Sequence, residues 1–342
     1  MKMREQLQTV FDKWNESCDF SGVLSITGGD DVIFERAYGY RNISELLPNK
    51  ISTAFAIASG TKFFTALSVC RLIDCGNLSL SDRIGDVISH DLGTINRDVT
   101  VFQLLTHTSG IGDYIDEEES GDYFDILKLY DTRPVHKWDS LDFYLPMFKR
   151  LPAKFNPGER FGYSNAGFIL LGLVIEAVSG QSYHSYVKTN IIDPLYLSHT
   201  GFYRMNSLPG NTALGYIFNE ARGEMETNIL YMPVMGGSDG GLFTCAADLA
   251  TLWSAVINGN ILSPSMREQM FTPQVERSKG AYYGLGVYMR EVSNKKAYYI
   301  IGGDFGADFI SGYFPKNGVT VSVLGNTEMD TYPLFINLLD AF

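Results

Sequence analysis

Phe55-Ala56-Ile57-Ala58-Ser59-Gly60-Thr61-Lys62, followed by Phe63-Phe64-Thr65-Ala66-Leu67-Ser68-Val69-Cys70, is the stretch on which the reading of this chain turns. Phe63, Phe64, Ala66, Leu67, Cys70 and Ile73 recur at helical spacing, which predicts a helix over residues 59–75 with Gly76 at its stop. Ser59 opens that helix, and Lys62 lies one turn on, on the same face. A serine hydroxyl is a poor nucleophile until a neighbour takes its proton. A lysine enclosed in a cleft can lose its own proton and serve as that base. The backbone N–H groups of a helix start can hold a developing oxyanion. The competing explanation is a plain capping serine with an exposed lysine. The same spacing occurs at Ser185-Tyr186-Val187-Lys188 and Ser293-Asn294-Lys295-Lys296, the first in a polar helical stretch and the second in a strand turn. Only Ser59 joins a helix start to an apolar helix.

Tyr163-Ser164-Asn165 is the second candidate. In an extended or tight-turn segment, residues two apart point the same way. A tyrosine can relay a proton, and an asparagine amide can bond both a lysine and a substrate amide. A structural tyrosine followed by a helix-capping asparagine explains the same residues, and Tyr40-Arg41-Asn42 repeats the spacing in a predicted strand. Gly236-Gly237-Ser238-Asp239-Gly240 matches a GxSxG elbow, but Pro233 breaks the strand that an elbow needs, and Gly241 to Thr244 do not read as helix. It reads as a glycine-rich loop, with an elbow-type Ser238 as the minor alternative. The five histidines contain no i,i+4 pair, so no metal ligand set is expected, and His107 reads as a hydrogen-bonded structural residue. Neither a P-loop nor a dinucleotide-binding glycine motif is present, and no cofactor is expected.

Farther out, residues 3–17 read as an amphipathic helix. Val23 to Ile26 and Val32 to Tyr40 form a hairpin about the turn Gly28-Gly29-Asp30-Asp31. Ala166 to Val178 is an apolar helix closed by Gly180. Gly284–Val292, Lys296–Ile301, Phe309–Phe314 and Val319–Leu324 read as strands, with a last helix over 331–342. Short turns between consecutive strands make the sheet antiparallel. Residues 114–145 show no clean period and read as a loop or lid over a cleft, or as a solvated helical insertion. The expected fold class is α/β (α+β). Residues 1–77 and 245–342 would form a sheet domain flanked by terminal helices, and residues 78–244 a mostly helical inserted domain.

The formal net charge of −12 disfavours nucleic-acid partners. Cys18, Cys70, Cys75 and Cys245 form no CxxC pair and read as reduced, mostly buried thiols. No stretch approaches the ~20 apolar residues of a membrane span. The opening MKMREQLQTVFDKW lacks the apolar core of a secretory leader. As written, the expected compartment is cytoplasmic; if a leader was removed, it is extracytoplasmic.

Taken together, these segments resemble the serine penicillin-binding protein and class C β-lactamase superfamily. The resemblance rests on Phe55 to Lys62, Leu104-Leu105-Thr106-His107-Thr108-Ser109-Gly110, Asn156 to Asn165, Leu170-Leu171-Gly172, Glu176, Val178-Ser179-Gly180, Asp193-Pro194-Leu195 and Gly240 to Thr244, in that order along most of the chain. It implies a β-lactamase/transpeptidase-like fold with the active site between its two parts. It also implies an acyl-enzyme on Ser59, with Lys62 and Tyr163 as proton partners. Asn165 would orient Lys62 and the acyl side chain. The N–H of Ser59 and a backbone N–H after residue 301 would form the oxyanion hole. The family's third motif opens with Lys, His or Trp. The matching region here, Ile300-Ile301-Gly302-Gly303-Asp304-Phe305-Gly306, has none of these at its head. Gly303, Asp304 and Phe305 would take the substrate-binding place. An aspartate there should repel a substrate carboxylate by about 1–4 kcal/mol. That weighs against β-lactamase and D,D-carboxypeptidase action, and leaves esterase, amidase or peptidase action on a small-molecule or peptide acyl substrate. The alternative is a low-turnover penicillin- or peptide-binding sensory module. Oligomeric state is not read from the sequence.

Overall fold

The computed structural model describes residues 2–16, 18–29, 31–117, 134–292 and 295–339. Eight strands make one sheet: β1 Gly22–Gly28, β2 Asp31–Tyr38, β3 Val275–Ser278, β4 Ala281–Tyr283, β5 Tyr288–Val292, β6 Lys295–Asp304, β7 Ala307–Phe314 and β8 Val319–Gly325. Their order is β2-β1-β8-β7-β6-β5-β4-β3, and every neighbouring pair is antiparallel. The pairing of β1 with β8, with Val23 opposite Leu324, joins the two ends of the chain.

Alternation along each strand sends side chains to opposite faces, and here both faces are buried. Leu24 and Ile26 of β1, Ile310 of β7 and Val321 and Val323 of β8 share one apolar cluster. Helix α1 (Lys2–Asn15) covers that face with Leu7, Phe11 and Trp14. The last helix, Tyr332–Leu339, adds Leu334, Phe335 and Leu338. Val23, Phe309 and Leu324 point the other way, into a larger cluster with Phe63, Phe64 and Leu67 of α2 (Thr61–Asp74). The same cluster holds Phe168 and Ile169 of α3 (Asn165–Ser179) and Trp253 of the helix Ala246–Asn258. It therefore runs without a break into the middle of the chain.

That middle is more mixed than its helical pattern suggests. It contains a hairpin of Tyr216–Asn219 with Glu224–Thr227. The short strand Phe243–Thr244 pairs with Phe55–Ala56, across the boundary that the sequence sets at 245. Of the irregular stretch 114–145, residues 118–133 lie outside the described residues, and 134–148 hold short helical turns. Asp30 in the hairpin turn and Ser293-Asn294 in the late turn also lie outside them.

One irregularity of the sheet prepares the site. Strand β5 pairs with β6 from Lys295 to Tyr299 and ends there, while β6 runs on to Asp304 along β7. Past Tyr299, alternate backbone groups of β6 therefore point out of the sheet.

Candidate active site

The residues before α2 fold tightly. The sequence places Ser59 at the first residue of the helix. In the structure Ala58–Gly60 form a 3-10 turn, and α2 starts at Thr61. Ala58 sits at φ +43°, a left-handed conformation that costs a non-glycine residue about 1–3 kcal/mol. Neighbouring contacts hold it there. Thr61 Oγ1 donates to the Ala58 carbonyl at 2.7 Å and accepts from the Leu242 N–H at 3.0 Å. A Cβ at Gly60 would enter the Phe309 ring, and one at Gly302 would strike the Ile57 carbonyl and the Ser59 nitrogen. The open edge of β6 thus lies directly against the Ser59 turn.

Ser59 is half-buried, with two proton-bearing groups beside it. Lys62 Nζ lies 2.9 Å from Ser59 Oγ, and the Tyr163 hydroxyl donates to the same oxygen at 2.9 Å. Lys62 also donates to Asn165 Oδ1 at 2.7 Å and to the Asp239 carbonyl at 2.7 Å. Both of these partners are acceptors. A neutral amine would spend its two N–H bonds on them and turn its lone pair to Ser59. Burial pushes the Lys62 amine below the ordinary lysine range, against the pull of Asp239, Glu117, Asp113 and Asp304. Burial also pushes the Tyr163 phenol well above its usual range, so it stands as a neutral donor.

The Tyr163-to-Asn165 segment is fixed from behind. His107, 1% exposed, accepts the Ser164 N–H on Nδ1 at 3.1 Å. Burial, with help from Lys62 and Arg277, holds this imidazole well below its usual range, so it is neutral and carries its proton on Nε2. Its ring lies 4.5 Å from that of Tyr163. The Asp113 carboxylate takes the N–H groups of Ile115 (3.2 Å) and Ala166 (3.3 Å) at the head of α3. The Asn165 amide donates to Glu117 at 3.1 Å, which leaves its oxygen facing Lys62.

The remaining sequence candidates divide. Gly303 is exposed on the β6 edge, and Asp304 lines a hollow beside the Ser59 turn. Phe305 does not reach that hollow. It is 5% exposed, its ring is 5.7 Å from that of Tyr231, and its carbonyl takes the Asn228 amide at 2.7 Å. Ser238 is fully buried and donates to the Phe168 carbonyl at 2.9 Å, so the elbow alternative fails. The loop still matters, because its Ser238 and Asp239 carbonyls accept from Thr65 and Lys62. Ser185 is exposed, and its companion Lys188 bonds Asp193 at 2.7 Å. Tyr40 lies on the surface. The four cysteines are free; Cys70 and Cys245 are buried, Cys18 is partly buried and Cys75 is exposed. His199, Cys245 and Asp248 converge within 4.8 Å, although no sequence spacing marks them. Asp248 there already accepts from the His199 N–H and the Thr200 hydroxyl, at 2.8 and 2.7 Å. Among the described residues, no single helix is long and apolar enough to cross a membrane.

Sequence reasoning missed the Asp239 carbonyl, Asp113, Tyr114 and Asn228. The one available signal was the glycine-rich run around Ser238.

Comparison with known proteins places the chain's family and fold. Penicillin-binding protein 4* of Bacillus subtilis is 29% identical over 85% of this chain, which spans 64% of that relative's length. The crystal structure of a penicillin-binding protein from Bacillus halodurans matches with a TM-score of 0.91 and 36% identity, over 98% of this chain and 100% of that one. An octameric penicillin-binding protein homologue from Pyrococcus abyssi matches with a TM-score of 0.81 and 28% identity, over 98% and 77%. The profile of the beta-lactamase family matches residues 7–333, and with that extent of agreement the chain belongs to this family.

Proposed function

We propose that the protein is a serine acyl-hydrolase that works through an acyl-enzyme on Ser59. One observation carries the reading: a single half-buried hydroxyl stands 2.9 Å from both an enclosed amine and a phenol. Ser59 Oγ attacks the substrate carbonyl carbon while its proton passes to Lys62. The carbonyl oxygen takes up the charge, facing the Ser59 N–H and an outward N–H of β6 beyond Ile301. The bond to the leaving group breaks, and the leaving group takes a proton from Tyr163, which is replenished from Lys62. Water then attacks the ester and gives its proton to the same pair; the bond from the acyl carbon to Ser59 Oγ breaks, that oxygen takes the proton back, and the free acid leaves. Asn165 and the Asp239 carbonyl keep the amine aimed at Ser59 throughout.

The chemistry suits esters, amides, peptides and β-lactams alike. Asp304 in place of a basic group favours substrates without a carboxylate at that point. The same substitution supports a second reading, a module that acylates and releases slowly. A fluorescent penicillin or fluorophosphonate should label the wild-type protein and not Ser59→Ala. Normal p-nitrophenyl ester hydrolysis by Ser59→Ala would end the proposal. A label that forms but does not turn over would favour the slow-release reading.

A further inference from the structure

The hollow beside the Ser59 turn opens past Ala58 and Gly240, and its apolar wall includes Tyr114, Tyr144, Tyr203, Met205, Met232 and Phe243. Its polar lining is one-sided. Asp239, Asp304 and Asn228 reach it, and none of its described lining residues is Lys or Arg. Asn228 is 2% exposed and donates its amide to the Phe305 carbonyl at 2.7 Å. That bond fixes the side chain's orientation and leaves Oδ1 buried with no partner among the described residues. Asp304 accepts the Phe305 N–H on Oδ1 at 2.8 Å, and among the described residues no cationic side chain bonds it. The Asp239 carboxylate accepts from the Tyr114 hydroxyl and from backbone N–H groups of its own loop.

A buried acceptor without a donor is costly, and an unpaired carboxylate beside it more so. Among the described residues the hollow has no donor with positive charge. A primary ammonium offers three N–H bonds, needs no acceptor of its own, and is attracted to the faces of aromatic rings. Burial pushes the Asp304 carboxyl up to about 7, so a ligand ammonium would favour its ionised form, whereas a ligand carboxylate would gain nothing from Asp304 and Asp239. Gly302 packs against Ser59, and Asp304 lies two residues farther along the strand, ~7 Å on. A cation seated there is therefore a few atoms from the carbonyl under attack.

We infer that this hollow is a substrate subsite for an apolar or aromatic group bearing a primary amine, with the ammonium seated between Asp304 and Asn228 Oδ1. The substrate class is then esters, amides or peptides with a free amine near the scissile carbonyl. This deepens the acyl-hydrolase reading and rests on it for the position of that carbonyl. The amine stays protonated and takes no part in the bond changes.

Binding to the full chain carrying Ser59→Ala tests the subsite without needing turnover. Calorimetry would compare 2-phenylethylammonium, 2-phenylethanol and 3-phenylpropanoate at about pH 8, above the value of about 7 to which burial pushes the Asp304 carboxyl. The ammonium should bind at least about tenfold tighter than the alcohol, and the carboxylate weakest of the three. Adding Asp304→Asn should shrink the advantage of the ammonium over the alcohol to within about twofold, and Asp304→Glu should keep part of it. Equal binding of ammonium and alcohol, tightest binding of the carboxylate, or an advantage that survives Asp304→Asn would overturn the subsite. Labelling of Ser59 in the wild-type protein reports separately on the acyl-hydrolase reading, so the two can fail independently.

Discussion

Ser59 and Ser238 look alike on paper. Each is followed by a glycine within two residues, and each belongs to a pattern known from serine hydrolases. The fold separates them. Ser59 is half-exposed at a strained turn, with an amine and a phenol on its oxygen. Ser238 is sealed off and spends its proton on the Phe168 carbonyl. Ser238 is nevertheless part of the same machine, because its loop supplies the carbonyl that holds Lys62. A hydroxyl becomes a nucleophile through the base it faces and the space in front of it; the residues on either side in sequence do not decide it.

Removing the base from the Ser59 side should have the largest effect. Lys62→Met leaves the hydroxyl in place without a proton acceptor, and acylation by an activated ester should fall by about 10²–10⁴. Stopped-flow release of p-nitrophenol measures it. A variant within about threefold of wild type would put Ser59 on a level with any surface serine. Tyr163→Phe should act more mildly, about 10–10² on the same readout, because Lys62 stays in position.

Titration separates the two regions in another way. Burial pushes the carboxyls of Asp113, Asp304 and Asp308 up to about 7, and the first two stand around the Ser59 pocket. In the unfolded chain such groups ionise near 4. Between about pH 4 and pH 7 the folded chain holds protons that the unfolded chain has lost, so stability falls as pH rises through that window. The slope for Asp113 is on the order of 1 kcal/mol per pH unit. Thermal melts should give a higher Tm at pH 5 than at pH 8, with a smaller difference in Asp113→Asn. A Tm that climbs over this range contradicts the assignment.

Ser238→Ala should have the smallest effect. It removes one buried hydrogen bond, worth about 1 kcal/mol in a denaturant melt, and leaves ester hydrolysis within about threefold of wild type. Loss of labelling in this variant would move the chemistry to the glycine-rich loop.

The sequence exposes what is local. Ser59 with Lys62, and Tyr163 with Asn165, are visible because a helix or a short extended segment turns fixed spacings into shared faces. The strands from Gly22 and from Lys295 onward are visible because short apolar runs stand between turn residues such as Gly28-Gly29 and Pro315-Lys316-Asn317-Gly318. What stayed hidden depends on contacts between distant parts of the chain. The Asp239 carbonyl meets a lysine far away in sequence, and a backbone oxygen carries no residue signature. Asn228 and Tyr114 gain meaning only when the chain brings them to Asp304 and Asp239. The left-handed Ala58 gave no warning, since alanine has no preference for that conformation. Phe305 was misplaced because its turn sends the ring to Tyr231 and away from the hollow.

The central claim is that the Ser59 oxygen carries the acyl group. Intact-mass measurement of the wild-type protein during reaction with a panel of activated esters and β-lactams, followed by peptide mapping, tests it most directly. The expected result is one adduct of the acyl mass on the peptide containing Ser59, formed rapidly and lost as product appears. Steady product formation with no adduct at Ser59, or with the adduct on the Ser238 peptide, would contradict it.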